Sequence, residues 1–338
     1  MNDLLIGLLS ALVATNPPAA VSNLVQKKTG LSVAIADSND PVERAYRKLM
    51  EDDDVAQAEV DEWIQARNRS TIPQTDVEKA ALNLRIKRRF EPIIKGYEDF
   101  LVAHPNHANA RIAYGSFLND IGEEAAAESQ WNNAREADPK NPAVWNNLAN
   151  FYGHNGDVKK SFEYYARAIE LEPTEPVYYQ NMATTVFLFR KDAMEFYRIT
   201  EQEVFSKAMG LYRKALSLDP DNFSMAAELA QTYYGVKPPK FDDTNATRQA
   251  ELKLADEAIA AWQTAQKLSS SELEREGVHI HFARWQINAG RYGEARKSLA
   301  AVTNDLWAAS RKTLLRKLDG REAGAKGTNT PVAVGIEK

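Results

Sequence analysis

Cysteine is absent from the 338-residue sequence, and its absence excludes several classes of protein. Without thiols the chain has no disulfides, no thiolate zinc site and no cysteine nucleophile. An excess of basic charge is missing as well, because the formal net charge is −5 and the one dense basic run covers residues 85–89. We therefore expect no nucleic-acid partner. What remains is an ordinary globular composition, with 44% hydrophobic and 26% charged residues, which supplies enough apolar surface for a core.

Long hydrophobic runs are also missing, apart from one near the start of the chain. Residues 4–14 are mostly apolar, but a helix needs about 20 such residues to cross a bilayer, so no stable membrane span is expected. The run has the length of a signal-peptide core, and residues 20–22 have the form of a cleavage site, yet no basic residue precedes the run. Residues 1–22 are thus either a signal peptide or a short helix packed on the body. We expect a cytoplasmic protein unless they act as a signal, in which case it is periplasmic or secreted.

Proline recurs in the middle of the chain with a period of 34 residues, at Pro105, Pro139 and Pro173. Gly122 and Gly156 keep the same spacing. A glycine suits the turn after one helix, and a proline ends the next helix and begins another pair. The period therefore predicts stacked pairs of helices, because a single pair cannot bury its own apolar faces.

The most complete copy of this pattern begins at Trp145 and ends at Pro173. Its motif reads Trp145-Asn146-Asn147-Leu148-Ala149-Asn150-Phe151-Tyr152 and continues through Gly156, Tyr165 and Ala168. This pattern resembles the tetratricopeptide repeat family. The resemblance implies an all-α fold, a right-handed α-solenoid of antiparallel helix pairs whose first helices line an inner groove.

The repeat phase extends in both directions and predicts how the chain is organised. We expect an N-terminal helical pair that caps the array, with the acidic run at 51–54 as the junction between its two helices. Two insertions stretch the later repeats: the one at 187–202 is expected to lengthen helices, and the one at 236–250 to contain a proline-rich loop. The predicted segments are the N-terminal helical pair at 40–72, tetratricopeptide-like repeats over 74–302 (about 74–107, 108–141, 142–175, 176–222, 223–272 and 276–302), a capping helix at 303–320 and a disordered tail at 321–338.

Catalytic and metal-binding motifs are scarce. His279 and His281 lie two residues apart and point roughly 200° apart on a helix, so they cannot bind one metal together. Glu276 and His279 match half of a di-iron carboxylate motif, but the second copy is missing. The sequence also lacks a glycine-rich phosphate loop, a nucleophile elbow and a His-Glu-x-x-His motif. We therefore predict no catalytic, cofactor-binding or metal-binding residues and no enzymatic activity.

Asparagines in the first helices are the candidate peptide-binding residues. Asn147 and Asn181 are 34 residues apart and occupy equivalent places in neighbouring repeats. Their amides donate and accept hydrogen bonds at once, which suits gripping a peptide backbone. The pair resembles the asparagine ladder in the repeat domain of O-linked N-acetylglucosamine transferases, and Asn146, Asn150 and Gln180 would extend it. The alternative is that these positions are polar simply because groove positions have to be.

The nearest basic candidates for the groove are Arg284 and Arg291, both in the last repeat, and Arg284 is the predicted binding residue. A carboxylate clamp of the cochaperone type is not expected, because Ile112 and Ser116 stand where its first lysine and asparagine would be. The leading prediction is a non-catalytic interaction scaffold or adaptor that binds a protein or peptide partner, of unknown identity, in the groove. Two alternatives remain: a regulatory or substrate-recruiting subunit of a separate enzyme, and a periplasmic envelope-assembly factor.

Overall fold

The structure of the chain, a computed structural model, describes residues 40–69 and 75–328. Throughout these two ranges the backbone is helical or irregular and forms no strand, which confirms the all-α prediction. None of the helices within them combines the length and the apolar character that crossing a membrane requires. The predicted N-terminal segment at 1–22, residues 70–72 of the predicted helical pair and residues 329–338 of the predicted tail lie outside the described residues.

Fourteen α-helices occur in the described part of the chain, which divides into two compact units. Unit 1 ends at Tyr178 and unit 2 begins at Tyr179. The helices are α1 (Pro41–Arg69), α2 (Asp76–Ala103), α3 (Ala108–Asp120), α4 (Glu124–Ala137), α5 (Pro142–His154), α6 (Val158–Leu171), α7 (Pro176–Leu188), α8 (Arg190–Tyr197), α9 (Glu201–Leu218), α10 (Phe223–Thr232), α11 (Thr244–Leu268), α12 (Glu272–Ala289), α13 (Tyr292–Ala300) and α14 (Asp305–Thr328).

The helix pairs α3–α4 and α5–α6 of unit 1 follow the repeat pattern most closely. Asn141 caps α5, since its side-chain oxygen accepts a hydrogen bond from the N–H of Ala143 at 3.1 Å, and proline occupies the first helical position. Gly122 and Gly156, with φ angles of +86° and +92°, turn the chain from the first helix of each pair into the second, a conformation that favours glycine. Large side chains that these pairs bury completely are Ile112, Phe117, Leu148, Phe162 and Tyr165.

The helices α3 and α4 approach each other closely at Gly115. A Cβ atom at this position would lie 2.5 Å from Trp131 Nε1, so any side chain would collide with the indole ring. The same Nε1 donates a hydrogen bond to the carbonyl of Ile112 at 3.2 Å. The indole of Trp131 thus fills the space that the missing side chain leaves, and the pair packs at a distance that only glycine permits.

The prediction of an N-terminal helical pair is wrong, because Pro41–Arg69 is one continuous helix. The acidic run does not interrupt it, and no glycine or proline follows Pro41 within it. Asp52 pairs with Lys48 one turn earlier at 2.5 Å, while Asp53 is buried and accepts a hydrogen bond from the Tyr97 hydroxyl at 2.6 Å. The four acids are therefore part of a helix with one face in the core. Its partner α2 is also continuous, so the repeat predicted at 74–107 contains a single helix that packs on α1.

The insertion at 187–202 forms a separate short helix, α8, instead of lengthening its neighbours. α8 ends at Arg198, whose φ of +56° lies in the left-handed region. Thr200 then starts α9 with a capping box, in which its hydroxyl accepts from the N–H of Glu203 and its own N–H donates to the Glu203 carboxylate at 2.8 Å. The apolar pattern of the sequence continues across this point, but the cap separates α8 from α9. Further on, residues 236–243 are irregular, and α11 follows them.

The last helix, α14, continues through residues 321–328, which the sequence predicted to be disordered. Two ion pairs tie this part of α14 to α13: Arg296 contacts Asp319 at 2.8 Å and Glu322 at 2.7 Å. Earlier in the helix, Leu314 and Leu318 are buried in the core of unit 2. The small residues of the tail are compatible with a helix once these contacts hold the preceding turns in place.

Candidate peptide-binding surfaces

The asparagines of α5 lie in the interior of unit 1. Asn146 is 0% exposed and Asn147 is 5% exposed. The Asn147 amide donates a hydrogen bond to Ser116 Oγ on α3 at 3.2 Å, and the Asn146 amide donates to Asn147 Oδ1 at 3.4 Å. Both side chains were predicted on an open groove face, and that placement is wrong because both are buried and Asn147 contacts α3. Their role in gripping a partner stays a prediction, which would require these buried amides to become accessible.

Asn150, one turn further along α5, is half-buried and is also engaged within unit 1. Its side-chain oxygen accepts a hydrogen bond from the hydroxyl of Tyr165 on α6. The contact joins the two helices of the pair and satisfies a hydroxyl whose ring is almost wholly buried. The structure therefore gives Asn150 a structural contact at the position where the sequence predicted a binding residue.

In unit 2, the predicted residues Gln180 and Asn181 are half-buried on α7. The Gln180 amide donates a hydrogen bond to the carboxylate of Glu228 on α10 at 3.0 Å. Ser224 and Thr184 also donate hydroxyl hydrogen bonds to this carboxylate, at 3.2 and 3.3 Å. Burial raises the pKa of Glu228, and these neutral donors oppose the rise. The polar strip that the sequence predicted is thus, at this point, a hydrogen-bonded cluster around one carboxylate.

Arg284 lies in an open cleft of unit 2, here called the α12–α14 cleft, with a volume of about 570 Å³. This size lies within the range of roughly 300–1,000 Å³ that is typical of ligand sites. Arg284 and Asn288 are one turn apart on α12, and the facing helix α14 presents Lys317. The lining residues are Tyr234, Arg284, Asn288, Ala309, Ser310, Thr313, Leu314 and Lys317.

The charge of the α12–α14 cleft is positive, because two of its lining residues are basic and none is acidic. Lys317 Nζ donates a hydrogen bond to Asn288 Oδ1 at 3.2 Å, which links the two walls. Burial and the neighbouring charges of Arg321 and Arg284 lower the pKa of Lys317. The cations therefore repel each other, and an anion between them would relieve that repulsion.

Aromatic rings hold the wall of the cleft that Tyr234 forms. Burial lowers the pKa of His281 to about 3, so its imidazole is neutral, and its Nδ1 shares a hydrogen bond of 2.8 Å with the Tyr234 hydroxyl. The Tyr234 ring stacks on Trp285 with centroids 5.1 Å apart, and His281 stacks on Trp262 at 3.8 Å. Tyr234 is thereby fixed in orientation although 39% of its surface is exposed.

The repeat that the sequence motif marked agrees with a known family. Residues 142–175, which include α5 and α6, match the family model described as tetratricopeptide repeat. Residues 142–175 therefore form a tetratricopeptide repeat. Proteins that carry tetratricopeptide repeats are generally non-catalytic scaffolds for interactions between proteins.

The chain is also similar to particular known proteins. The Photosystem I assembly protein Ycf3 of Cyanophora paradoxa is 31% identical over 99 residues, which are 29% of this chain and 57% of Ycf3. The match therefore spans little more than half of that relative. Among solved structures, PilW, a widely conserved type IV pilus biogenesis factor, is 14% identical with a TM-score of 0.49, and covers 70% of this chain and 96% of its own. PilF of Pseudomonas aeruginosa is 15% identical with a TM-score of 0.46, and covers 83% and 100%.

Glu276, His279 and His281, which the sequence analysis considered as metal ligands, have structural contacts. Among the residues that the structure describes, no three histidine, aspartate or glutamate side chains converge as metal ligands. The Glu276 carboxylate accepts hydrogen bonds from the hydroxyl of Thr303 at 2.8 Å and from the N–H of Asn304 at 2.8 Å, and so holds the turn before α14. His281 belongs to the aromatic wall of the cleft.

Of the residues that line the cleft, the sequence analysis predicted only Arg284. It missed the other polar residues, because no repeat motif marks them: Tyr234, Asn288, Ser310, Thr313 and Lys317.

Proposed function

We propose that this protein is a non-catalytic interaction scaffold or adaptor that binds a partner polypeptide through unit 2, with the α12–α14 cleft as the main contact. The observation that carries the proposal is the cleft itself: a site of about 570 Å³ that presents two cations and no acid. Its walls also offer an amide at Asn288 and hydroxyls at Ser310 and Thr313, which suit hydrogen bonds to a peptide.

The half-buried Gln180 and Asn181 on α7 are proposed as secondary contacts of the same unit. Gln180 already donates to Glu228, so a partner that presents a donor to this carboxylate would compete with the amide. Because burial raises the pKa of Glu228, a positively charged partner group would stabilise its ionised form. We propose a cytoplasmic location, and a periplasmic one only where residues 1–22 act as a signal.

An assembly factor is the second candidate function, and the match to Ycf3 favours it. Ycf3 is named as an assembly protein for Photosystem I, and 31% identity over 99 residues covers more than half of its length. An assembly factor of this kind is a scaffold whose partner is a subunit of a larger complex. An assembly factor differs from a general adaptor in one respect: its partner leaves once the larger complex is complete.

The test begins with the tagged full-length protein, purified from its native cells with the proteins that remain bound. The partner found in this way is produced separately, and its dissociation constant is measured by titration calorimetry. We expect Arg284→Ala to weaken binding at least about tenfold, equivalent to about 1.4 kcal/mol. The control is Arg275→Ala, which removes an exposed arginine from the same helix, nine residues away and therefore on its opposite face.

Two results would contradict the proposal. If no polypeptide binds the intact protein in the calorimeter, the scaffold function is refuted. If the partner binds Arg284→Ala and Arg275→Ala with the affinity of the natural protein, the partner uses another surface and the cleft is not the main contact. An assembly role is refuted if the partner remains bound at equal stoichiometry within the mature complex.

A further inference from the structure

The geometry points to an acidic stretch of polypeptide as the ligand of the α12–α14 cleft: we propose that Arg284 and Lys317 bind side-chain carboxylates from within a partner chain. This inference rests on the proposed function and names the chemistry of the partner. It requires carboxylates along a segment and not a free chain terminus.

The two cations of the cleft lie on facing helices. On α12, Arg284 and Asn288 are four residues apart and share a face. On α14, Thr313 and Lys317 are again four residues apart and share the face that lines the cleft. Each wall therefore carries one cation and at least one neutral hydrogen-bonding group. A segment between the walls would meet positive charge on both sides. Carboxylates spaced along that segment could therefore pair with both cations.

These cations lack acidic partners in the part of the chain that the structure describes. Among the described residues, neither Arg284 nor Lys317 forms an ion pair, and the α14 acids Asp319 and Glu322 are engaged with Arg296. Lys317 instead donates to a neutral amide. Since no carboxylate offsets the like charges of Arg284 and Lys317 across the cleft, an anionic ligand would relieve the repulsion between them.

The α12–α14 cleft is large enough for a ligand of several residues. The cleft volume of about 570 Å³ exceeds what one small ion fills and suits a segment of several residues.

The whole chain has a net charge of −5, so a highly charged acidic partner is repelled elsewhere on the surface. Because the protein as a whole is acidic, an acidic stretch of a partner is attracted to this positive cleft and not to the rest of the surface.

The probes for the test are synthetic peptides with both ends blocked, labelled with rhodamine, in which a run of glutamates lies between glycine and serine residues. A second peptide has glutamine at every glutamate position, and a third has phosphoserine there. Binding to the full-length protein is followed by fluorescence anisotropy at low and at physiological ionic strength. We expect the glutamate peptide to bind at least about tenfold more tightly than the glutamine peptide, and more weakly as salt rises.

Matched variants locate the binding site. Lys317→Gln and Arg284→Gln are each expected to weaken binding of the glutamate peptide about tenfold, and Lys317→Arg to retain it. The control Lys312→Gln makes the same change in charge on the same helix, five residues earlier and roughly 140° around it. It is expected to leave the affinity unchanged. Circular dichroism checks that every variant keeps its helices.

Each contrary outcome has a separate meaning. Equal binding of the glutamate and glutamine peptides, or equal losses with Lys317→Gln and Lys312→Gln, overturns the acidic-ligand proposal. Tighter binding of the phosphoserine peptide by tenfold or more, roughly 1.4 kcal/mol, replaces it with a phosphoryl ligand. If no peptide binds while the purified partner still binds in an Arg284-dependent way, the inference fails and the proposed function stands. If that partner also fails to bind, both are refuted.

Discussion

Replacing Asp53 with asparagine is expected to remove a pH dependence from the stability of unit 1. Asp53 is 3% exposed on α1, and its carboxylate accepts hydrogen bonds from the Tyr97 hydroxyl at 2.6 Å and from the Gln57 amide at 2.8 Å. Burial is the main cause that raises its pKa from 3.8 to about 6, and the two hydrogen bonds oppose the rise. The folded protein therefore prefers the protonated side chain.

The sign and size of the effect follow from this raised pKa. Between pH 3.8 and about 6, folded Asp53 holds more protons than unfolded Asp53, so the free energy of unfolding falls as pH rises. The stability is fully present below pH 3.8 and is lost by the time the pH has passed about 6. A rise of roughly two units corresponds to about 3 kcal/mol, at about 1.36 kcal/mol per unit. This loss is a sizeable fraction of the stability of a small domain.

The assay is urea unfolding of the full-length protein between about pH 4 and pH 8, read from hydrogen exchange of peptides within α2, which reports on unit 1. The quantity compared is the stability of the natural protein minus that of Asp53→Asn at each pH, because other carboxylates then cancel. We expect this difference to fall by about 2–3 kcal/mol across the window. Asp61→Asn, an exposed change on the same helix, is the control. A difference that stays flat, or that rises with pH, refutes the reasoning.

Three further substitutions test the packing. Gly115→Ala is expected to destabilise unit 1 by about 1–3 kcal/mol, because its Cβ would lie 2.5 Å from Trp131 Nε1, and urea unfolding that shows no loss contradicts this. Gly210→Ala has open space around its Cβ within α9 and is expected to stabilise unit 2 by up to about 1 kcal/mol, measured in the same way. Asn147→Ala leaves Ser116 without its amide donor and is expected to cost about 1–3 kcal/mol; a stable variant with weaker partner binding would instead support the asparagine ladder.

The helix pairs of unit 1 were predictable because their signals are local. Gly122 and Gly156 both adopt the positive φ that their position in the motif requires, and Pro142 begins α5 after the Asn141 cap. Such positions depend on the backbone within a few residues. Sequence spacing is therefore sufficient to place them.

The continuity of α1 and the burial of the asparagines were not predictable from local patterns. A run of four acids reads as a solvated junction, but Asp53 has its hydroxyl partner at Tyr97, 44 residues further along the chain. In the same way, Asn147 is covered by α3, and its acceptor Ser116 lies 31 residues earlier. A polar residue at a repeated position can face a groove or a neighbouring helix. Which of these two surroundings it has depends on how closely the helices pack.

The α12–α14 cleft was also not predictable from local sequence patterns alone. Leu314 and Leu318, four residues apart and 6% and 0% exposed, fix the apolar face of α14 in the core of unit 2. The sequence predicted such a capping helix. Once that face is buried, the adjacent position Lys317 must lie at the edge of the contact with α12, where Arg284 is already placed by its own repeat. The capping helix thus completes a cationic site to which the repeat motif contributes only one wall, so a search confined to repeat positions finds Arg284 and misses its partner.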